Sequence, residues 1–357
     1  MNTGAALGVG LIGYGYAGRV FHAPLLRAVP GLQLRAVASR DAARVHAELS
    51  DVQVCASPEA LLAREDIALV VLATPNASHA PLARAALEAG RHVVVDKPFT
   101  LTLAEARELL ALAARRQRCL TVFQNRRWDS DFLAVKQAIE ADAIGRVVHF
   151  ESHLDRYRPS VRERWREGNG PGAGIWYDLG PHLIDQALLL FGMPQAVQLH
   201  LAIARKGGLA ADWAHARLDY GARQVLLHAS MLAAGGAHRF LVHGTRGSLV
   251  KHGVDLQETQ LLAGIVPGAP EWGIEHDPLR HLAGDGTRED LPVPAGDQRQ
   301  FYLQLRDALR NGTEPPVTPA QALAGMAVLE AGLRSAREGR DIAPAAIAGY
   351  AATPGDD

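Results

Sequence analysis

The chain has 357 residues, a length typical of about two domains. Hydrophobic residues make up 48% of it and charged residues 21%, which excludes disorder for most of the chain. The net charge is −1, so neither a nucleic acid nor an anionic membrane is an expected partner.

Short apolar runs alternate with helical patterns over the first third of the chain. The runs predict six strands, at residues 9–12, 32–38, 52–55, 67–73, 92–95 and 119–123. Helices are clearest at 78–89 and 102–116, where Thr102 and Glu105 have the spacing of a capping box. Pro24 lies inside the first helical pattern, which is expected to break and restart there. The alternation predicts a doubly wound parallel sheet, an α/β domain over residues 1–125.

Strand patterns dominate the predicted second domain, residues 126–357. A helix at 132–141 precedes predicted strands at 147–154, 196–203, 225–232, 239–243 and 248–251. Because no long helix separates the later strands, we expect a mixed or antiparallel sheet. Residues 264–296 are rich in Gly and Pro and are predicted to form a surface loop. One helix is predicted to end at Asn311-Gly312 and the next to begin at Thr318-Pro319; the final helices, within 319–340, are expected to pack towards the first domain.

The two cysteines, Cys55 and Cys119, bear on the compartment of the protein. Two cysteines cannot supply a disulfide framework, which favours a reducing environment. The longest plainly apolar run, residues 67–73, is too short to cross a bilayer. We therefore expect a cytoplasmic protein.

A glycine motif follows the first predicted strand and opens the first helix. Gly13, Gly15 and Gly18 form the pattern G-x-G-x-x-G, with Tyr16 and Ala17 between the last two. The first glycine permits a tight turn, the second lets a pyrophosphate approach the backbone, and the third lets the helix pack close to the strand. At a strand–helix junction this pattern favours dinucleotide binding over a plain glycine-rich turn.

The residues after the second strand bear on the choice of cofactor. An acidic side chain there would bind the ribose 2′-hydroxyl of NAD, whereas this chain has Ser39 and Arg40. A hydroxyl and a guanidinium suit the 2′-phosphate of NADP, so NADP(H) is favoured. Two alternatives stay open: Ser39 or Asp41 caps the next helix while Arg40 is solvated, or Asp41 binds the ribose of NAD.

Two polar segments follow neighbouring strands. Asp96-Lys97-Pro98 comes after the fifth strand, and Thr74-Pro75-Asn76, with His79, after the fourth. In an open α/β sheet, ligands bind beyond the carboxyl ends of the strands, so both segments are candidates for a site. Each segment by itself is more often a turn.

A third segment, residues 172–185, contains Asp178 and His182. Pro181 suits the first turn of a helix, which would place His182 at the positive end of the helix dipole and keep its imidazole neutral. A neutral imidazole can accept a proton from an alcohol. The alternatives are that Asp178 is a helix N-cap and that His182 is a buried histidine with a backbone partner.

Together these motifs resemble the Gfo/Idh/MocA oxidoreductase family, named for glucose–fructose oxidoreductase and inositol dehydrogenase, over essentially the whole chain. The stretches at 13–22, 124–131, 151–159 and 176–186 are similar to the subgroup that contains NADP-dependent scyllo-inositol dehydrogenases. The family motif is usually Glu-Lys-Pro; here Asp96 takes the first position and the lysine is kept.

The resemblance implies a Rossmann domain followed by an α+β domain with a large open sheet, one face of which binds substrate and commonly forms the oligomer interface. It implies that Lys97 lies at the nicotinamide, that His182 is the acid/base, and that Asp178 binds or orients the substrate. The implied reaction is hydride transfer between nicotinamide C4 and a secondary alcohol or ketone of a polyol or sugar, with scyllo-inositol as the best guess. The alternatives are another aldose or sugar-derivative dehydrogenase and a catalytically silent NADP(H)-binding sensor. A homodimer or homotetramer is expected.

Further polar and aromatic residues are candidates for binding a small polyhydroxylated substrate. They are Asn125, Arg127, Asp155, Arg156, Tyr157 and Trp176. The alternatives are surface salt bridges for the arginines and core packing for Trp176 and Trp165. His149, Glu151, His153 and Asp155 share one strand face, which would suit a metal site, a sugar pocket or a solvated surface. No metal is expected, because the resemblance supplies none at these positions.

Overall fold

A computed structural model describes residues 6–347, which divide into two compact units. The first unit contains residues 6–125 together with Gln257–Trp272 and Asp297–Ala322. The second contains Arg126–Leu256, Gly273–Gly296 and residues 323–347. Two segments of the later sequence are therefore part of the first unit.

The first unit is built on a parallel sheet. Its strands are β1 (Leu7–Ile12), β2 (Leu32–Ala38), β3 (Gln53–Cys55), β4 (Leu69–Leu72), β5 (His92–Val95) and β6 (Leu120–Val122). A π-helical turn at Gly18–His22 is followed by α1 (Ala23–Arg27), α2 (Ala42–Glu48), α3 (Pro58–Leu62), α4 (His79–Glu88) and α5 (Leu103–Arg116). The strand order is β3-β2-β1-β4-β5-β6, so the order reverses between β1 and β4. Ligands of such sheets bind at the carboxyl edge beside that reversal.

Of two local signals in the first unit, the capping box is confirmed and the helix break is not. The hydroxyl of Thr102 accepts the amide N–H of Glu105, and the carboxylate of Glu105 accepts that of Thr102, which completes the predicted capping box. The first helix changes from π to α geometry at Ala23, with Pro24 in the first turn of α1. The predicted break is wrong, because His22 and Ala23 keep right-handed helical φ and ψ and the helix continues past Pro24 with a changed hydrogen-bond pattern.

The remaining elements follow in chain order. They are α6 (Ser130–Glu140), β7 (Val147–Asp155), α7 (Ile175–Phe191), β8 (Ala196–Ala202), β9 (Trp213–Tyr220), β10 (Arg223–Ser230), β11 (Phe240–Gly244), β12 (Gly247–Lys251), α8 (Gln257–Leu262), β13 (Leu279–Ala283), β14 (Arg288–Leu291), α9 (Arg299–Asn311) and α10 (Pro319–Glu338). Of these, α8 and α9 lie in the first unit. Gly312 caps α9 in the left-handed conformation, as predicted.

The second unit is built on a mixed, mostly antiparallel sheet. Its order is β14-β13-β12-β11-β7-β10-β9-β8, in which the pairing of β7 with β10 is parallel. Apolar residues such as Val225 and Leu227 are buried on one face of β10, while His228 on the other face is half-buried. This two-sheet α/β architecture confirms the predicted fold class.

The sequence analysis missed three strands, β9, β13 and β14. On β9 two of the three buried positions are filled by alanines, Ala214 and Ala216, which give a weak apolar pattern. The predicted loop at 264–296 is wrong in part, because it contains β13 and β14, and β14 is a mostly exposed edge strand of charged residues. An edge strand is defined by pairing with its neighbour rather than by an apolar face.

The last helix, α10, is divided between the two units, because its first four residues belong to the first unit. From Leu323 onward α10 belongs to the second unit. There the indole N–H of Trp176 donates to the carbonyl of Leu329 at 3.1 Å, and the amide of Leu199 donates to the Ser335 hydroxyl at 3.1 Å. Among residues 6–347, no helix is long and apolar enough to cross a membrane.

Candidate functional site

The glycine loop lies at the carboxyl end of β1. Gly13 has φ +98°, and a Cβ there would lie 2.4 Å from the carbonyl oxygen of Ala73. A Cβ on Gly18 would lie 2.2 Å from the carbonyl oxygen of Gly13. Both positions need glycine for reasons internal to the fold. A Cβ on Gly15 would meet nothing within 4 Å, so the open backbone there fits a pyrophosphate bound from outside the protein.

Tyr16, a predicted cofactor contact, is held by a residue distant in sequence. Its side chain is 48% exposed, and its hydroxyl donates to Glu258 of α8 at 2.6 Å. Ala17 immediately precedes the π-helical turn. The sequence analysis did not single out Glu258, because no motif surrounds it.

The segment after β2 shows how Asp41 is used. The hydroxyl of Ser39 accepts the amide of Asp41 at 3.1 Å, and the carboxylate of Asp41 accepts the amide of Arg44 at 3.1 Å. Asp41 is thus the N-cap of α2, as one of the two alternatives stated, and its second oxygen lies 3.3 Å from Arg44 Nε. Arg40 is exposed.

His79 connects the loops that follow β4 and β5. Its Nδ1 lies 2.8 Å from the carbonyl oxygen of Pro98, and its Nε2 lies 3.0 Å from that of Thr74. Complete burial lowers the pKa of His79, which favours the neutral ring. The predicted cofactor contact at His79 is therefore corrected: both ring nitrogens face the main chain, and the residue positions the Thr74-Pro75-Asn76 and Asp96-Lys97-Pro98 segments.

Lys97 is the second residue after β5, and its neighbour Asp96 belongs to a group of buried polar side chains. Asp96 accepts the backbone N–H of Lys97 at 2.9 Å, and its carboxylate lies 3.9 Å from Nε2 of His22. His22 Nδ1 lies 2.6 Å from the hydroxyl of Tyr302. Burial would raise the pKa of Asp96, but the neighbouring His22, together with the charge of Lys97, holds it below the usual range. A carboxylate is thus kept ionised beside Lys97; the roles of His22 and Tyr302 were not predicted.

The helix α7 carries the residues predicted for acid–base chemistry. It begins at Ile175 after Gly174, whose φ is +95°. His182 therefore lies in the third turn, and the prediction that it sits at the helix N-terminus is wrong. Asp178 lies in the first turn rather than at the N-cap, with Oδ1 3.3 Å from Nε of Arg166. Asp178 and His182 are spaced i, i+4 and share one face of α7.

Two predicted substrate contacts have structural roles instead. Arg127 makes a bidentate pair with Asp185 of α7, at 2.8 and 2.7 Å, and both side chains are buried. Trp176 is 2% exposed and donates to the carbonyl of Leu329, so it packs in the core, as the alternative reading stated. Both side chains are engaged within the second unit, which supports structural roles for them.

The other predicted contacts differ in exposure. In the first unit, Asn125 is buried and donates to the side-chain oxygen of Gln298 at 3.0 Å. In the second, Tyr157 is 61% exposed, and Asp155 lies among histidines on the sheet. Arg166, which faces Asp178, was not singled out from the sequence.

Two family models match consecutive parts of the chain. Residues 7–124 match the NAD-binding Rossmann fold of an oxidoreductase family, and residues 136–344 match its C-terminal α/β domain. The chain belongs to the Gfo/Idh/MocA oxidoreductase family.

Relatives of this Gfo/Idh/MocA oxidoreductase align along nearly its whole length. The oxidoreductase YdgJ of Escherichia coli is 49% identical, over 92% of this chain and 96% of its own. The scyllo-inositol 2-dehydrogenase (NADP⁺) IolW of Bacillus subtilis is 34% identical, over 94% and 95%. A crystal structure of an oxidoreductase from Klebsiella pneumoniae superposes with a TM-score of 0.89 at 55% identity, covering 95% of each chain.

The sheet of the second unit in this Gfo/Idh/MocA oxidoreductase carries a row of histidines. Neighbours in register on four adjacent strands are His200, His215, His228 and His153. Glu151 lies beside this row, with carboxylate oxygens 2.8, 3.0 and 2.9 Å from ring nitrogens of His149, His153 and His238. Burial alone would raise the pKa of Glu151, but the three imidazoles lower it to about 2. The sequence indicated the shared face of β7 and gave no sign of the partners from other strands.

Proposed function

We propose that this oxidoreductase is an NADP-preferring dehydrogenase that interconverts a secondary alcohol and a ketone on a cyclic polyol or sugar. The observation that carries the proposal is the position of Lys97, which follows β5 at the same sheet edge as the glycine loop after β1. Scyllo-inositol is the preferred candidate substrate, since the relative IolW is named for that activity.

The residues of the first unit fit a dinucleotide. When bound, the cofactor accepts or returns a hydride at nicotinamide C4. Gly13, Gly15 and Gly18 shape the loop that holds the pyrophosphate. Since Asp41 is engaged as the cap of α2, the remaining polar groups after β2 favour a 2′-phosphate, with Ser39 and Arg40 as its contacts.

We assign the proton chemistry to two side chains. The ammonium group of Lys97 lowers the pKa of the substrate hydroxyl and stabilises the developing alkoxide. His182 takes the hydroxyl proton as the carbon loses its hydride, and returns it when the ketone is reduced. Asp178, one turn earlier on α7, orients the substrate. Asn125 and Tyr157 remain proposed substrate contacts, and Thr74, Pro75 and Asn76 remain proposed cofactor contacts.

A cofactor and substrate screen tests this proposal. NADP⁺ and NAD⁺ are each offered with scyllo-inositol, myo-inositol and a panel of aldoses, and the absorbance of reduced nicotinamide is followed. We expect NADPH to form fastest with scyllo-inositol. Fastest reduction with an aldose would replace the substrate assignment by another sugar dehydrogenase. Tight NADPH binding without reduction of any pair would contradict the dehydrogenase assignment and favour an NADP(H)-binding sensor.

The compartment and the assembly are also proposals. Cys55 and Cys119 are both free thiols, which supports a reducing, cytoplasmic location. The assembly expected for this family is a homodimer or homotetramer, with neither nucleic acid nor membrane as partner. Size-exclusion chromatography with light scattering measures the assembly directly, and a monomer at micromolar concentration would contradict the proposal.

A further inference from the structure

Three residues on the open face of the second sheet form a compact cluster of metal-ligand types. His153 and Asp155 lie two residues apart on β7, and His228 is the register partner of His153 on β10. One ligand atom from each residue lies within 4.8 Å of the others. Two imidazoles and one carboxylate are a common protein ligand set for Zn²⁺ and related divalent ions.

The spacing within this trio is longer than a hydrogen bond and close to that of a metal site. Asp155 Oδ2 lies 3.5 Å from His153 Nδ1, and Asp155 Oδ1 lies 3.6 Å from His228 Nε2. A tetrahedral ion with bonds of 2.0–2.2 Å holds neighbouring ligand atoms about 3.3–3.6 Å apart. Both separations, one to each carboxylate oxygen of Asp155, match those of neighbouring ligand atoms around one ion, and one ligand atom from each residue lies within 4.8 Å of the others.

Polar atoms of the trio are buried and unsatisfied. The side chain of Asp155 is only 7% exposed. Within residues 6–347, neither Asp155 Oδ1 nor His153 Nδ1 has a hydrogen-bond partner. A buried carboxylate oxygen without a partner is unfavourable, and a cation between these atoms would satisfy it.

Neighbouring groups orient the ring nitrogens of His153 and His228. His153 Nε2 lies 3.0 Å from the Glu151 carboxylate and can donate its proton there, which would leave the Nδ1 lone pair to an ion beside Asp155. His228 Nδ1 lies 3.4 Å from His215 Nδ1, which leaves Nε2 facing Asp155. A histidine that donates its other nitrogen to a carboxylate is the usual arrangement of a metal-bound imidazole.

We propose that His153, Asp155 and His228 bind one divalent transition-metal ion of the Zn²⁺ class. The ion would link β7 to β10 and would neutralise the buried carboxylate of Asp155. This replaces both the expectation of no metal and the substrate role predicted for Asp155. The proposal is independent of the dehydrogenase assignment, because it rests on side chains of the second sheet alone.

Metal uptake by the intact, untagged protein tests the site. The protein is stripped with chelator and titrated with Co²⁺ and Zn²⁺, using equilibrium dialysis and the visible ligand-field spectrum of Co²⁺. We expect one equivalent of tightly bound metal and a Co²⁺ spectrum with nitrogen and oxygen ligands in a tetrahedral field. Absence of stoichiometric uptake would overturn the proposal and leave a protonated imidazole as the partner of Asp155.

Matched variants identify the ligands. Asp155→Asn and His228→Gln should abolish stoichiometric uptake, and Glu151→Gln should weaken it about 10–100-fold because it removes the group that orients His153. His200→Gln, in the same histidine row, is the control and should bind as the wild type does. Loss of uptake in His238→Gln with retention in Asp155→Asn would overturn the assignment, because it would place the ion on Glu151, His153 and His238. Circular dichroism verifies that each variant is folded.

Discussion

A buried ion pair anchors the helix that carries Asp178 and His182. Arg239 and Asp131 are completely buried, with Nε and Oδ2 3.0 Å apart. The same guanidinium donates to Ser152 at 2.6 Å and to Gln186 of α7 at 2.9 Å. We predict that Asp131→Ala is strongly destabilising, because it leaves the guanidinium buried without its countercharge.

The structure sets the size of this effect. Removing one partner of a buried pair costs about 3–5 kcal/mol. Asp131 also accepts the amides of Phe132 at 2.6 Å and Asp255 at 3.3 Å, so its loss leaves these donors unsatisfied as well. Ser152 and Gln186 remain as partners, which keeps the expected loss within that range. Asp131→Asn retains an acceptor and should cost less than Asp131→Ala.

Urea unfolding followed by tryptophan fluorescence measures the change in the free energy of unfolding. The control is Glu140→Gln on the same helix, α6, where the Glu140 pair with Lys136 is exposed. Such exposed i, i+4 pairs contribute about 0.3–0.5 kcal/mol. A loss in Asp131→Ala within about 1 kcal/mol of that control would refute the argument from buried charge.

Three other measurements address the site and the thiols. Lys97→Ala and His182→Ala should lower turnover by about 10²–10⁴ while NADP(H) still binds; turnover near wild type in either variant removes that residue from the mechanism. Arg40→Asp should weaken NADP(H) binding by about 1.5–3 kcal/mol with little effect on NAD(H), and equal losses for both cofactors would contradict a 2′-phosphate contact. Burial raises the pKa of the Cys119 thiol to about 11, so at pH 8 only about one thiol in a thousand is ionised. Native protein should therefore react with a disulfide reagent far more slowly than urea-unfolded protein, and rapid native labelling of Cys119 would contradict its burial.

Several features of the molecule follow from local sequence alone. The capping box of Thr102 and Glu105 and the left-handed cap at Gly312 are each determined by a few neighbouring residues. The glycine pattern is visible in the local sequence, whereas the structure shows that Gly13 is required by the carbonyl of Ala73, which is distant in the chain. The alternation of apolar runs and helices then predicts the parallel sheet and the position of Lys97 at its edge.

The placement of His182 shows where local reasoning failed. Pro181 indicated a helix start, but α7 begins six residues earlier, where Gly174 adopts a positive φ and the amide of Ile175 donates to the carbonyl of Ala211. That partner is distant in sequence, so no pattern within the segment identifies it. The proline is instead accommodated inside the helix.

Sequence by itself thus determined the order of most elements and the family motifs, including the glycine pattern, because these are recognised from residues adjacent in the chain. Only the tertiary structure decided which polar groups meet. It paired Arg127 with Asp185, placed Tyr302 against His22 and brought His228 to Asp155. Such contacts depend on strand register and helix packing, and in some cases the two residues are a hundred or more positions apart in the chain. A shift of one residue in strand register would turn His228 to the opposite face of its sheet.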